Sequence, residues 1–173
     1  QTYQNFELII IDNNSQDGTK DYIDNLNDER VKYFQIFNNG VIAKSRNCGI
    51  MQSNGKYLAF LDSDDWWLPD KLSMAIKSLQ NGADFTYHNM YIKNNKEINN
   101  KQKVLNFVRN VNHPIKKSLL LYGNAFPTSS VVLKKSFLVN AGCFSEDEKL
   151  MPLDDFVAWI KISESTKNFV KLN

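Results

Sequence analysis

Short apolar runs that end in acidic or amide residues alternate with helical patterns along the first half of the chain. Residues 6–11 form one such run, closed by Asp12, and residues 56–61 form another, closed by Asp62. Continuous hydrophobicity indicates strands buried in a parallel sheet. Because helical patterns separate the runs, the sequence predicts a single α/β domain with a Rossmann-like, mostly parallel sheet flanked by helices. Its ligand site should lie beyond the carboxyl ends of the strands.

The remaining predicted elements follow from periodicity and turn residues. Apolar residues at i, i+3, i+4 and i+7 from Leu72 to Leu79 predict an amphipathic helix. Residues 93–117 are rich in lysine and asparagine without a clean period, so we expect a mobile hairpin and loop there. Further strands are predicted at residues 31–37, 85–92 and 130–133, and further helices after Asp17, over 42–52, over 135–140 and over 154–163.

Composition excludes several classes of protein. The 173 residues are 42% hydrophobic, which suffices for one ordinary core. The formal net charge of +2 gives no support for a nucleic-acid partner, because such binding relies on dense basic patches. Cys48 and Cys143 form no CxxC pair, so we expect neither a disulfide framework nor a cysteine zinc site. No apolar run reaches the roughly 18 residues of a membrane-spanning helix, so we expect a soluble segment.

The acidic cluster after the second buried run is the strongest chemical signal. Asp62, Asp64 and Asp65 place three carboxylates within four residues. Like charges this close repel one another unless a cation or several donors compensate them. Hard oxygen ligands of this kind suit Mg²⁺ or Mn²⁺, which complete their coordination with water and substrate phosphates. The alternative is a solvated turn or a helix cap.

Four segments, in this order, resemble the motifs of family 2 glycosyltransferases with the GT-A fold. Residues 1–19 read QTYQNFELIIIDNNSQDGT, where the family pattern is QTYxxFELIIVDDGSxDGT. Residues 39–50, NGVIAKSRNCGI, are similar to NxGxxxARNxGI, and residues 55–72, GKYLAFLDSDDWWLPDKL, to GEYIAFLDxDDxxxPDKL. The fourth segment, LDDFVAW over residues 153–159, is similar to EDxxLW with aspartate in place of glutamate.

The resemblance implies a GT-A domain over residues 1–173, with a nucleotide-sugar-binding half at 1–92 and an acceptor-side half at 93–173. It implies transfer of a sugar, with inversion, from a nucleotide-diphosphate donor, favouring a UDP-sugar, to a saccharide or lipid-linked acceptor. The setting it implies is synthesis of a bacterial surface polysaccharide or glycan, in the cytoplasm or at the inner face of the membrane, with peripheral membrane association.

The resemblance also assigns donor-side roles to individual residues. Asp64 would bind the Mn²⁺ or Mg²⁺ directly, and Asp62 would assist by holding the ribose or a metal-bound water. Asp12 and Asn13 would face the nucleobase; a simple Asx-turn role for Asn13 is the alternative. Other donor-binding residues implied by the motifs are Ser63, Lys44 and Arg46, the last two toward the diphosphate or ribose.

On the acceptor side, the resemblance makes Asp155 the general base and Asp154 its supporting residue. We expect the neighbouring charge and partial burial to raise the pKa of Asp155. The alternative is that both carboxylates merely favour the first turn of a helix. Residues 124–130 line the acceptor pocket or form an ordinary loop. The tryptophans at the site are expected to be core or wall residues rather than sugar platforms: Trp66, Trp67 and Trp159.

Rival interpretations fail on particular residues. A haloacid-dehalogenase-type phosphatase would need threonine or valine where the chain has Trp66, and an EF-hand loop would need glycine where it has Trp67. A catalytically silent nucleotide-sugar-binding or scaffolding domain of the same fold remains open. Family members also begin with a strand and helix before the QTY element, so we expect the chain to lack them and its first strand to have an unpaired edge.

Overall fold

The computed structural model describes residues 1–90 and 108–172. Strands and helices alternate up to residue 88, as the apolar periodicity predicts. Within the described residues the strands are β1 (Leu8–Asp12), β2 (Val31–Gln35), β3 (Tyr57–Ala59), β4 (Phe85–His88), β5 (Val132–Lys134) and β6 (Phe169–Leu172). The helices are α1 (Thr19–Asp24), α2 (Ile42–Gln52), α3 (Lys71–Gln80), α4 (Ile115–Tyr122), α5 (Lys135–Asn140) and α6 (Asp154–Ser165), with short 3-10 turns at Thr128–Ser130 and Glu148–Leu150.

The described strands form two sheets. β1 and β2 pair in parallel, and the second sheet has the order β3-β5-β4-β6. β5 is antiparallel to both β3 and β4, whereas β4 and β6 are parallel, so only β5 runs against the other three strands. The α/β single-domain prediction is confirmed, with β5 as the exception to a parallel arrangement. Val132, which opens β5, pairs with Ala59, which closes β3, so the Thr128–Ser130 turn lies beside a strand end.

β1 is less buried than its apolar sequence predicts. Leu8 is 42% exposed, and the isoleucines that follow it are only partly buried. Among the described strands β1 pairs with β2 alone, and α2 packs against it. The prediction of a strand buried on both faces is therefore wrong for β1, because burial depends on neighbours that the local sequence does not specify.

Aromatic side chains form much of the main core. Trp159 of α6 is fully buried and meets Phe85 of β4 edge-on, with ring centroids 5.2 Å apart. Phe126 packs against the same Phe85 ring at 5.1 Å. Trp159 is thus a core residue as predicted, whereas Trp67 is half-buried and Trp66 remains 60% exposed.

Two elements differ from the sequence-based expectation. α4 begins at Ile115, inside the stretch for which a loop was predicted, and β6 was not predicted. Ile115 and Leu119 of α4 are buried in the main core, which stabilises a helix whose lysines and consecutive leucines conceal the period. The rest of the predicted mobile loop, and the end of the strand predicted over 85–92, fall on residues 91–107, outside the described residues.

Candidate active site

An arginine joins the loop after β3 to the start of α6. Arg46 lies on α2, and its Nη2 donates to Asp62 Oδ1 at 3.0 Å while its Nη1 donates to Asp154 Oδ2 at the same distance. The Arg46 side chain is 15% exposed, and Asp154 is buried. The two acidic motifs, far apart in sequence, are therefore joined through one guanidinium. The Nε of Arg46 is buried without a partner among the described residues, so the protein does not pair this guanidinium fully.

The loop after β3 leaves most of its negative charge uncompensated. Asp62 is the one carboxylate of this loop that meets a described cation, Arg46, and its side chain is still 43% exposed. Within the described residues the Asp64 and Asp65 carboxylates accept no hydrogen bond. Asp64 and Ser63 are exposed. A turn closed by the Asp65 N–H on the Asp62 carbonyl, at 3.0 Å, holds these side chains close together.

These residues fit a divalent cation that also binds phosphate. Over residues 1–90 and 108–172, no three His, Cys, Asp or Glu side chains converge into a metal site made by protein alone. Mg²⁺ and related ions, however, are usually held by one or two carboxylates together with substrate phosphates and water. Asp64 offers an open carboxylate of this kind, whereas the Asp62 carboxylate is shared with Arg46. The donor set is therefore suited to a metal that arrives with a diphosphate.

Asp12, at the end of β1, has its carboxylate occupied by the protein. It is 7% exposed and accepts hydrogen bonds from Ser15 N at 3.0 Å, from Tyr33 Oη at 2.7 Å, and from the Ser15 hydroxyl. Burial alone would raise the pKa of Asp12, but these donors outweigh burial and hold it below its usual value of 3.8. The Asp12 carboxylate therefore secures the loop that follows β1.

Asn13 points away from that network. Its side chain is exposed, and Oδ1 accepts the backbone N–H of Asn38 at 2.9 Å. It does not form the local Asx turn offered as its alternative role, since Ser15 N bonds to Asp12 instead. With Oδ1 engaged, the amide Nδ2 is the group that Asn13 has available for a ligand. Lys44 lies on α2, half-buried and without an ion pair to a described residue.

Asp155 has the properties of a base in a partly dry site. Its Oδ2 accepts hydrogen bonds from Thr128 Oγ1 at 3.0 Å and from Asn124 Nδ2 at 3.2 Å. Burial raises the pKa of the Asp155 carboxyl and the charge of Asp154 adds to the rise, while the Thr128 hydroxyl and the Phe156 N–H oppose it. This direction agrees with the expectation from sequence, although burial contributes more than the neighbouring charge.

Three residues near the site received no individual role from the sequence, although Thr128 and Ser129 lie within the stretch 124–130 that was predicted as acceptor-pocket lining or an ordinary loop. Ser129 Oγ accepts the Asp62 backbone N–H at 3.0 Å, and Ser129 O accepts from Trp67 Nε1 at 2.9 Å and from Lys71 Nζ. Thr128 contacts Asp155, as described above. Burial lowers the pKa of Lys71 to about 7, and its ammonium lies over the Trp67 ring, 3.9 Å from the centroid. The available signal was a polar Thr-Ser-Ser run within an otherwise apolar segment.

Known proteins resemble this chain in sequence and in fold. An uncharacterized glycosyltransferase of Rickettsia conorii is 34% identical over 94% of this chain, which spans 26% of that relative's length. The Escherichia coli protein WfaP, a UDP-Glc:alpha-D-GlcNAc-diphosphoundecaprenol beta-1,3-glucosyltransferase, is 42% identical over 54% of this chain and 38% of its own length. The crystal structure of S. aureus TarS 1-349 superposes with a TM-score of 0.72 at 20% identity, over 96% of this chain and 48% of that one.

The described helices are each too short or too polar to cross a lipid bilayer.

The sequence profile of the glycosyl transferase family 2 matches residues 1–138, which includes the strand-end loops around Asp12 and Asp62 and the helix that carries Arg46. The matched stretch is most of the chain, and its fold is the α/β fold of TarS. On these grounds the chain belongs to glycosyl transferase family 2.

Proposed function

We propose that this chain is the donor-binding and catalytic domain of a metal-dependent, inverting glycosyltransferase. It transfers a sugar from a UDP-sugar to a hydroxyl group of a saccharide or lipid-linked acceptor in bacterial surface polysaccharide synthesis. The observation that carries the proposal is the Arg46 bridge, which brings the Asp62 loop and the Asp154–Asp155 helix start together. Donor and acceptor carboxylates must share one site for a direct transfer.

On the donor side, Asp64 and Asp62 would hold Mn²⁺ or Mg²⁺ together with the diphosphate. The chemistry that such an ion would supply there is neutralisation of the negative charge on the leaving diphosphate. Arg46 approaches the same phosphates or the ribose with the Nη N–H groups that the two aspartates do not use, and Lys44 adds charge from the same helix. Ser63 lies between the two carboxylates, where it is exposed to the donor.

The nucleobase lies beside the loop after β1. Asp12 keeps this loop in place through its own hydrogen bonds, and Asn13 meets the base with its free Nδ2. An amide N–H donates to a carbonyl oxygen of the base, whereas an aspartate at this position would accept a ring N–H. The identity of the base therefore depends on a single side chain that departs from the family pattern.

On the acceptor side, Asp155 takes the proton of the attacking hydroxyl. The acceptor oxygen forms a bond to the anomeric carbon while the bond from that carbon to the diphosphate oxygen breaks, and the diphosphate leaves with the electron pair. Because attack and departure occur on opposite faces, the configuration at this carbon inverts. A raised pKa makes Asp155 a stronger base than an exposed aspartate, and Asp154 keeps Arg46 beside it.

The relatives support the donor and acceptor classes. WfaP is named as a UDP-glucose transferase acting on a diphosphoundecaprenol-linked sugar, and a Bacillus subtilis relative is named as a teichuronic acid biosynthesis glycosyltransferase. A lipid-linked acceptor would place this domain in the cytoplasm at the inner face of the membrane, through peripheral association. We propose the same location here.

Calorimetric titration tests the donor site directly. UDP, GDP and dTDP are titrated into the intact protein with and without Mn²⁺, and we expect Mn²⁺-dependent binding of UDP. Failure of a folded protein to bind any of the three nucleotides would overturn the proposal.

Nucleotide release then separates an enzyme from the silent binding domain. UDP-sugars are incubated with the protein and Mn²⁺, and liberated UDP is measured with Asp155→Asn as the control variant. We expect the wild-type protein to release UDP and the variant to bind the donor without releasing it. Equal release by both proteins would remove Asp155 from the role of base.

A further inference from the structure

A buried turn contacts both the Asp62 loop and Asp155. The residues of the Thr128–Ser130 turn all carry hydroxyl groups and are at most 5% exposed. A buried hydroxyl costs free energy unless it has a hydrogen-bond partner, so the partner of each one is informative. In this turn, two consecutive residues bond to the two acidic segments, Thr128 to Asp155 on the acceptor side and Ser129 to the Asp62 loop on the donor side.

Thr128 bonds to the acceptor side. Its Oγ1 donates to Asp155 Oδ2 at 3.0 Å, and Asn124 Nδ2 donates to the same oxygen at 3.2 Å. Asn124 is itself oriented by its Oδ1, which accepts the Phe126 N–H at 3.0 Å. A carboxylate has about four acceptor positions, and the Phe156 N–H uses one on Oδ1. The other position on Oδ1 is the one left to receive a proton from the acceptor.

Ser129 bonds to the donor side. Its hydroxyl accepts the backbone N–H of Asp62 at 3.0 Å, and its carbonyl accepts from Trp67 and Lys71. The turn is closed by Ser130 N on the Pro127 carbonyl at 2.8 Å and by Val131 N on the Thr128 carbonyl at 3.0 Å. Both contacts therefore start from one short, internally bonded piece of backbone.

We propose that the Thr128–Ser130 turn is a positioning element that keeps the Asp155 carboxylate in register with the donor-binding loop at Asp62. Thr128 acts on the base and Ser129 acts on the loop. The proposal rests on the function proposed above, because only a direct transfer needs the two sides in register. The charged groups that face Asp155 are Asp154, its neighbour on α6, and Arg46 from α2.

Four variants separate the two contacts. Thr128→Val removes the hydroxyl at nearly constant shape, and Thr128→Ser keeps it. Ser129→Ala removes the partner of the Asp62 N–H. Ser130→Ala is the matched control, because the Ser130 hydroxyl bonds to the Pro127 carbonyl within the turn, at 2.7 Å, and to neither carboxylate side. Each variant is examined for two properties in the intact chain.

The first property is the titration midpoint of the Asp155 carboxyl carbon, followed by ¹³C NMR in metal-free protein and assigned with Asp155→Asn. We expect Thr128→Val to raise the midpoint by about one pH unit, because a donor to the charged form is lost. Thr128→Ser, Ser129→Ala and Ser130→Ala should stay close to wild type. An unchanged midpoint in a folded Thr128→Val protein would overturn the role of Thr128.

The second property is the dissociation constant of UDP in the presence of Mn²⁺, from calorimetry. We expect Ser129→Ala to weaken binding about three- to tenfold, because the Asp62 loop loses one hydrogen bond, and Thr128→Val to leave it unchanged. Equal affinity in Ser129→Ala and Ser130→Ala would overturn the role of Ser129. If the wild-type protein does not bind this probe, the proposed donor site fails, while the carboxyl titration still decides the role of Thr128.

Discussion

The two acidic strand ends differ in how their charges are balanced. At the end of β1, Asp12 is buried and receives hydrogen bonds from several side chains of the same domain. In the loop after β3, Asp64 and Asp65 receive no side-chain hydrogen bond from the described residues, and Asp62 meets one arginine. A carboxylate that the protein saturates secures its own loop, whereas an open carboxylate needs a partner from outside. The difference distinguishes an aspartate whose carboxylate is used within the protein from one whose carboxylate remains available, although both follow an apolar run of the sequence.

The largest effect is expected on nucleotide affinity, from substitution of Asp64. Asp64→Asn should weaken Mn²⁺-dependent UDP binding about 100-fold, because it removes the free carboxylate. Its free energy of unfolding should stay within about 0.5 kcal/mol of wild type, because an exposed side chain is changed. Calorimetry and urea denaturation measure the two quantities. Asp70→Asn, an exposed aspartate at the start of α3, is the matched control and should change neither. If Asp64→Asn bound UDP with wild-type affinity, the proposed distinction between Asp64 and Asp12 would be contradicted.

At Asp12, whose carboxylate is hydrogen-bonded by the protein, we expect a loss of stability rather than a loss of nucleotide binding. Asp12→Asn should lower the free energy of unfolding by about 2 kcal/mol, because Tyr33 and Ser15 lose a charged acceptor in a buried place. Once folded, the variant should keep most of its nucleotide affinity, since the lost bonds are internal. Urea denaturation followed by calorimetry tests both statements. A variant of wild-type stability that no longer binds UDP would show that Asp12 is a ligand contact instead.

Asn13 offers a way to sharpen the comparison with its neighbour. Asn13→Asp would keep one oxygen on the Asn38 N–H and present a second oxygen to the base in place of the amide donor. Because uracil has a ring N–H at the position where cytosine has an acceptor, UDP affinity should rise about three- to tenfold relative to CDP. Competition calorimetry gives this ratio. A ratio equal to that of wild type would place Asn13 outside the base contact.

The smallest effect concerns Glu7, which immediately precedes β1 and whose carboxylate is also hydrogen-bonded by the protein. Hydrogen bonding from Lys32 is the main reason that the pKa of Glu7 falls from 4.5 to about 2, and the Asn54 and Gly55 N–H groups contribute. Because this folded-state pKa is lowered, Glu7 stabilises the protein above pH 4.5 and loses that contribution as the pH falls toward 2. Glu7→Gln should therefore cost about 1 kcal/mol near neutral pH and less in acid, measured by urea denaturation. A cost independent of pH would contradict this assignment.

Much of the fold follows from local sequence. The helices α2, α3 and α6 begin within a residue of the positions that apolar periodicity and turn residues predict. α4 was not predicted, because two lysines close to three consecutive leucines hide the apolar period. Its buried face is evident only from the structure, where Ile115 and Leu119 pack into the core. β6 was not predicted, because it is only four residues long and depends on pairing with β4.

The sequence supplied candidate residues for the site but not the contacts between them. Motif resemblance and charge density identified Asp62, Asp64 and Asp155 as candidates. The sequence carried no information on the Arg46–Asp154 pair, whose members are 108 residues apart, because such a contact is set by the tertiary fold. Likewise, the hydrogen bond from Tyr33 to Asp12 depends on the parallel register of β1 and β2.

The hydrogen bond from Trp159 Nε1 to the Phe126 carbonyl, at 3.0 Å, has a consequence for heat resistance. Phe126 lies in the aromatic core and two residues before Thr128, so melting of the core releases the segment that is hydrogen-bonded to Asp155. Thermal inactivation should thus coincide with loss of the near-ultraviolet circular dichroism of the buried tryptophan. On heating, the protein would then convert from the active to the unfolded state in one cooperative transition, without a folded but inactive intermediate.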